Sequence, residues 1–67
     1  MKLKNRIKEW RARKDVTQEV LANEVKMSRQ SIHSIERGKF VPSILTAFKL
    51  ARYFGATVEE IFYVEED

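Results

Sequence analysis

The stretch Ser28-Arg29-Gln30-Ser31-Ile32-His33-Ser34-Ile35-Glu36-Arg37-Gly38-Lys39 holds the side chains best suited to directional polar contacts. Ile32 and Ile35 are spaced to share one helical face. At about 100° per residue, with the inward direction midway between them, Gln30 and Arg37 point outward. His33 and Ser34 stand beside these two, and Arg29 lies on the flank with a long side chain at the helix start. Ser31 and Glu36 fall at the edge of the buried side. The outward face of Arg29, Gln30, His33, Ser34 and Arg37 contains no carboxylate. Arg can pair with guanine, Gln with adenine, and Ser with either. Those are the contacts that read base edges in duplex DNA.

Phosphate-type donors flank this face. Gln18 opens the preceding helical segment, whose N-terminal amides also favour an anion. Arg37 and Lys39 lie at the far end. Such groups position a duplex without reading it. The charge distribution points the same way. Residues 1–39 hold 11 Lys and Arg against five Asp and Glu, a balance of +6, whereas residues 40–67 hold two against five, a balance of −3. A cationic half attracts a polyanion.

Other chemistries find little support. Glu59-Glu60 and Glu65-Glu66 are sequence neighbours, so their side chains do not converge, and no nucleophile, base or glycine-rich phosphate loop accompanies them. The chain is therefore expected not to be an enzyme, with no cofactor and no small-molecule substrate. One His and no Cys exclude disulfides and argue against zinc. No apolar run approaches the roughly 20 residues that span a membrane, and no apolar leader follows the basic N-terminus. The absence of cysteine fits a cytoplasmic location. Sixty-seven residues make one domain, residues 1–67. A chain this short buries only about 60% of its unfolded surface, so tight helix packing, self-association or both must stabilise it.

Five short helices are expected to hold these side chains. Leu3, Ile7 and Trp10 recur at helical spacing, which predicts a first helix from about Asn5 to Lys14. The Arg and Lys residues between them are read as a solvated face. Thr17 is a good N-cap for a second helix, about Gln18 to Val25, with Val20, Leu21, Ala22 and Val25 apolar. Ser28 caps the third, and Gly38 stops it. Two helices this close must turn through a large angle, giving a helix-turn-helix over about residues 17–37. Small Ala22 permits close approach, and Met27 plugs the corner. Pro42 keeps Val41 extended. Ser43 caps a fourth helix, with Ile44, Ala47, Phe48, Ala51 and Phe54 read as its inward face and Gly55 as its stop. Thr57 caps a fifth, with Val58, Ile61 and Phe62 apolar. Trp10, Phe48 and Phe54 are expected in the core.

The two ends invite pairing. Met1 to Lys4 alternates as a strand does, and Ile61-Phe62-Tyr63-Val64 is β-prone and apolar. They are expected to form a small antiparallel sheet. Residues 57–67 would then make a two-fold homodimer contact through Ile61, Phe62, Tyr63 and Val64.

The ordered set Thr17-Gln18-Glu19, Leu21-Ala22, Ser28-Arg29-Gln30-Ser31-Ile32, Ile35-Glu36, Gly38-Lys39, Pro42-Ser43 and the ending Phe54-Gly55 to Ile61-Phe62 resembles the Cro/phage-repressor-type (Xre-like) helix-turn-helix regulators. The match covers nearly the whole chain. It implies an all-α, five-helix lambda-repressor-like domain, here with the small terminal sheet. It implies a sequence-specific transcriptional regulator that binds a pseudo-palindromic operator in double-stranded DNA as a dimer, its third helix in the major groove. Carried over residue by residue, it makes Arg29, Gln30, His33 and Ser34 the base readers. It makes Gln18 a phosphate contact and places Lys39 near phosphate, and Ser28 and Arg37 are expected to contact phosphate beside them. It pairs Arg11 with Glu36. This chain departs from the family at Lys26, where Gly is usual in the turn, and at Trp10, where a smaller aliphatic residue is common. If Lys26 is left-handed, its side chain costs about 1 kcal/mol or more. Two other readings compete: a protein-interaction module such as an antitoxin or adaptor on the same fold, and membrane-surface binding by the basic first helix, which its modest apolar face disfavours.

Overall fold

The computed structural model describes residues 1–66; Asp67, the last residue of the expected dimer element, lies outside the described residues. The order is β1 (Lys2–Asn5), α1 (Ile7–Lys14), α2 (Gln18–Glu24), α3 (Arg29–Glu36), α4 (Ile44–Phe54), α5 (Val58–Ile61) and β2 (Phe62–Glu65). The strands pair antiparallel, with Lys2 opposite Glu65, Leu3 opposite Val64, Lys4 opposite Tyr63 and Asn5 opposite Phe62. The expected terminal sheet is present and clasps the two ends of the chain.

Helix starts follow local side-chain chemistry. The hydroxyls of Thr17, Ser28, Ser43 and Thr57 accept hydrogen bonds from the amides of Val20, Ser31, Thr46 and Glu60. Each satisfies a donor that the first helical turn leaves open. Thr57 completes a capping box, because its own N–H donates to Glu60 Oε1 at 2.8 Å. The first helix begins later than expected. Asn5 belongs to β1, and its side chain accepts from the Ile7 amide at 3.1 Å and donates to the Ile35 carbonyl at 2.9 Å. Strand pairing and this cross-link override the helical spacing at Asn5.

Helix ends share one device. At Asp15, Lys26, Gly38 and Gly55 the backbone turns left-handed, with φ of 58°, 58°, 75° and 69°. In each case the next amide reaches back to a carbonyl of the last turn, as Met27 N–H does to Ala22 O at 2.9 Å. Lys26 is therefore left-handed, a conformation that costs a residue with a side chain about 1 kcal/mol or more.

Ile7, Leu21, Ile32, Ile35, Leu50 and Ile61 form the fully buried centre. Trp10 packs against it, its ring centroid 6.1 Å from that of Phe54 and its Nε1–H donating to the Glu60 carbonyl at 3.2 Å. The expected inward face of α4 needs correction. Ala47, Leu50, Ala51 and Phe54 are buried, whereas Ile44 and Phe48 are exposed. Apolar residues lie on more than one side of this helix, so their spacing alone does not define which side meets the core. Val20 is likewise exposed on α2.

Candidate nucleic-acid interface

The turn between α2 and α3 sets the geometry of the site. Val25 and Ala22 are buried, Met27 packs against the core, and left-handed Lys26 reverses the chain between them. Ser28 then starts α3. Its hydroxyl accepts from the Ser31 amide at 3.0 Å and donates to Ser31 Oγ at 2.8 Å. In the unbound protein this hydroxyl is engaged as a cap. A phosphate at Ser28 has to compete with Ser31 for the proton.

Ile32 and Ile35 anchor α3 in the core. The opposite side presents Arg29, Gln30, His33 and Arg37 to solvent, with Ser34 half-buried next to them. Gln18, Arg29, Gln30 and His33 line one shallow depression across the start of both helices. Lys39 is exposed just beyond α3, its amide bonded to the Ser34 carbonyl at 3.0 Å.

The one acid on α3, Glu36, is neutralised from below. Arg11 Nε donates to Glu36 Oε2 at 2.6 Å, and Arg11 Nη2 donates to Oε1 at 3.0 Å. The two side chains are 15% and 8% exposed. A third donor, Arg11 Nη1, reaches the Val16 carbonyl at 3.2 Å, so one guanidinium ties α1 to both α3 and the turn before α2. This fork-to-fork geometry is the strong form of the interaction. The negative charge of Glu36 is thus compensated beneath a face that otherwise bears cations and neutral donors.

Gln18 joins the same group. Its Nε2 donates to Glu36 Oε1 at 3.2 Å and lies 3.5 Å from His33 Nδ1. Gln18 is half-buried, and these contacts hold its amide in place.

Sequence reasoning passed over Lys8. It belongs by spacing to the basic stripe of α1, yet it lines a second depression together with Asn5, Arg11, Gln18, His33, Glu36 and Arg37. Its position in the first turn of α1 could have been linked to Gln18 only through the Arg11–Glu36 pair.

The four residues expected to face a partner divide. Ile61 is fully buried and Phe62 nearly so, both within the chain's own core. Phe62, opposite Asn5 at the start of β2, is the one buried residue of that strand, and Ile61 closes α5 against the centre. Tyr63 and Val64 remain exposed, with the Arg6 guanidinium 4.1 Å from the Tyr63 ring centroid. No group of three or more His, Cys, Asp or Glu among the described residues is placed to hold a metal ion. No helix of the described residues is long and apolar enough to cross a membrane.

Comparison with known proteins bears on this arrangement. A family model described as "Helix-turn-helix" matches residues 7–61. An uncharacterized HTH-type transcriptional regulator of Methanocaldococcus jannaschii is 48% identical over 65 residues, covering 97% of this chain and 98% of that relative. The HTH-type transcriptional regulator YgzD of Bacillus subtilis is 42% identical over 65 residues, covering 97% and 98%. Among solved structures, the restriction-modification controller protein C.AhdI from Aeromonas hydrophila superposes with a TM-score of 0.75 at 30% identity, covering 81% of this chain and 82% of that one.

Proposed function

This chain belongs to the helix-turn-helix family of the Cro and phage-repressor type, and from that premise we propose that it regulates transcription by sequence-specific binding to double-stranded DNA. In this account α3 enters the major groove. Arg29 and Gln30, at its N-terminal end, meet base edges first, with His33 and Ser34 one turn further along. Gln18, Ser28, Arg37 and Lys39 meet phosphates on either side. Lys8 is added to that set by its place beside Gln18 and Arg37. The observation that supports this best is the outward face of α3: four exposed polar or cationic side chains, and a single acid already paired with Arg11.

The pre-set Gln18 amide fits a phosphate contact. One N–H of its Nε2 donates to Glu36 Oε1 at 3.2 Å, which orients the amide, and the second N–H is the donor a phosphate takes. A duplex contacted through Gln18 and Lys39 is fixed in register before bases are compared. Two copies would present two α3 helices to successive major grooves, so the operator is a pseudo-palindrome with half-sites about 34–36 Å apart. This account needs no cofactor and no bond-making step. The alternative of a protein-interaction module draws on a different observation, the exposed apolar residues between Phe40 and Phe48.

Binding of Arg29→Ala and Gln30→Ala to operator and to random duplex, at one stated salt concentration, tests the assignment. Each variant should lose about 1–3 kcal/mol of discrimination at one base position while keeping its affinity for random DNA. An unchanged ratio of the two affinities would overturn the assignment of readers.

A further inference from the structure

Three depressions adjoin one another on the side of the molecule that carries α3. The first holds Arg29 and Gln30, the second Lys8 and Arg37, and the two share Gln18 and His33. A third shares Asn5, Glu36 and Arg37 with the second and continues along β1, where Lys2, Lys4 and Tyr63 line it. The surface that starts at the exposed end of α3 therefore reaches the terminal sheet.

Strand geometry decides which side chains of the sheet border that surface. Leu3 and Asn5 are half-buried, and Lys2 and Lys4 alternate with them on the exposed side. Antiparallel pairing sets Lys2 opposite Glu65 and Lys4 opposite Tyr63, so these four share one face. Lys4 Nζ stands 3.9 Å from Glu65 Oε1, with the two side chains 45% and 58% exposed. Among the described residues, Lys2, Lys8 and Arg37 have no carboxylate at ion-pair distance. The one acid lining the three depressions, Glu36, is already held by Arg11.

We infer that the terminal sheet is part of the DNA interface. Lys2 and Lys4 meet phosphates beyond those taken by Gln18 and Arg37, and Glu65 is the internal counter-ion that Lys4 exchanges for a phosphate. The inference rests on the DNA-binding reading proposed above and extends it past α3. Charge supports it first: Lys2, Lys4, Lys8 and Arg37 border one continuous surface with a single, compensated acid, which suits the polyanionic backbone of a duplex. The Lys4–Glu65 pair supports it second, because an exposed pair at this distance is weak and yields readily to a phosphate. Attachment is the third argument. Asn5 Nδ2 donates to the Ile35 carbonyl at 2.9 Å, and the Arg6 amide donates to the Ile61 carbonyl at 2.7 Å. The strand is thus bonded to α3 itself, so a phosphate held at Lys4 also fixes where α3 lies in the groove. Contacts of this kind position a duplex without reading it.

Titration with a random-sequence duplex of about 30 base pairs, three turns, tests this without knowledge of the operator. The double change Lys2→Gln with Lys4→Gln should lower the slope of log K against log salt by about two per bound copy, and weaken binding roughly tenfold or more at about 0.1 M salt. Glu65→Gln should strengthen binding, by up to about fivefold, the strength of an exposed ion pair. Two controls remove the same charges elsewhere. Lys49→Gln with Arg52→Gln on α4, and Glu59→Gln on α5, lie outside the three depressions and should leave the slope unchanged. Thermal melting should show every variant folded as the parent is. A slope unchanged by the Lys2 and Lys4 changes, or lowered as much by the α4 pair, overturns the contact at the sheet. Glu65→Gln binding no better than the parent overturns the exchange. In either case the DNA-binding reading stands if Arg29→Ala still relaxes discrimination between operator and random duplex. A parent chain that binds neither duplex at low salt ends both.

Discussion

Replacing Arg11 with methionine isolates the pair that supports the interface. Met keeps much of the side-chain length and removes the guanidinium. Glu36 then loses both partners at 2.6 and 3.0 Å and keeps only the Gln18 donor at 3.2 Å. Breaking a buried pair by removing one partner costs about 3–5 kcal/mol. The residual exposure of 8% at Glu36 and the remaining Gln18 bond place the cost at the low end, about 3 kcal/mol. At about 0.05–0.15 kcal/mol per residue, a chain of this length has roughly 3–10 kcal/mol in total. Arg11→Met should therefore remove a third of the stability or more.

The double change Arg11→Met with Glu36→Leu should recover most of that loss, because apolar replacement of both partners is often neutral. It should still miss about 0.5–1.5 kcal/mol for the lost bond to the Val16 carbonyl. Urea unfolding measures all three, at one fixed protein concentration so that any self-association contributes equally to each. The double variant frees Gln18 from its carboxylate and should bind all DNA sequences less well despite near-parental stability. A cost below about 1 kcal/mol for Arg11→Met, or a double variant as unstable as the sum of the singles, would refute this reasoning.

Other consequences are simpler. Lys26→Gly relieves a left-handed side chain at φ 58°; the gain of about 1–2 kcal/mol is partly offset by the extra chain entropy of glycine, leaving about 0.5 kcal/mol and a rise in Tm of about 2–4 °C by calorimetry. Lys39→Ala should weaken binding to every sequence alike and lower the salt slope of log K by about one, measured by titration at several salt concentrations. Thr57→Ala removes one bond of the capping box and should cost about 1 kcal/mol in urea unfolding.

Caps and stops were legible because they are local. Thr17, Ser28, Ser43 and Thr57 each bond an amide three residues on, and no distant residue is needed to place them. The outward face of α3 was legible for a related reason: Ile32 and Ile35 are its only apolar residues, so the inward direction is unambiguous. On α4 the same method misplaced Ile44 and Phe48 and passed over Leu50, because that helix has a core face and a second apolar face. The end of the chain shows the converse, with Ile61 and Phe62 assigned to a partner and found in the core. Apolarity states that a side chain avoids water, not whether its own chain or another covers it. The Asn5 side chain bonds a carbonyl of α3, and Lys8 lines one depression with Gln18 of α2, relations that sequence spacing does not contain.

The central claim is that two copies of this chain read a defined DNA sequence through α3. In vitro selection of bound duplexes from a random pool, at one stated salt concentration, measures it most directly. The account predicts a pseudo-palindrome whose half-site centres are about 10–10.5 base pairs apart or a multiple of that. Base preferences within each half-site should relax when Arg29 or Gln30 is replaced by alanine. A pool that stays random, with affinity set by salt alone, would contradict it.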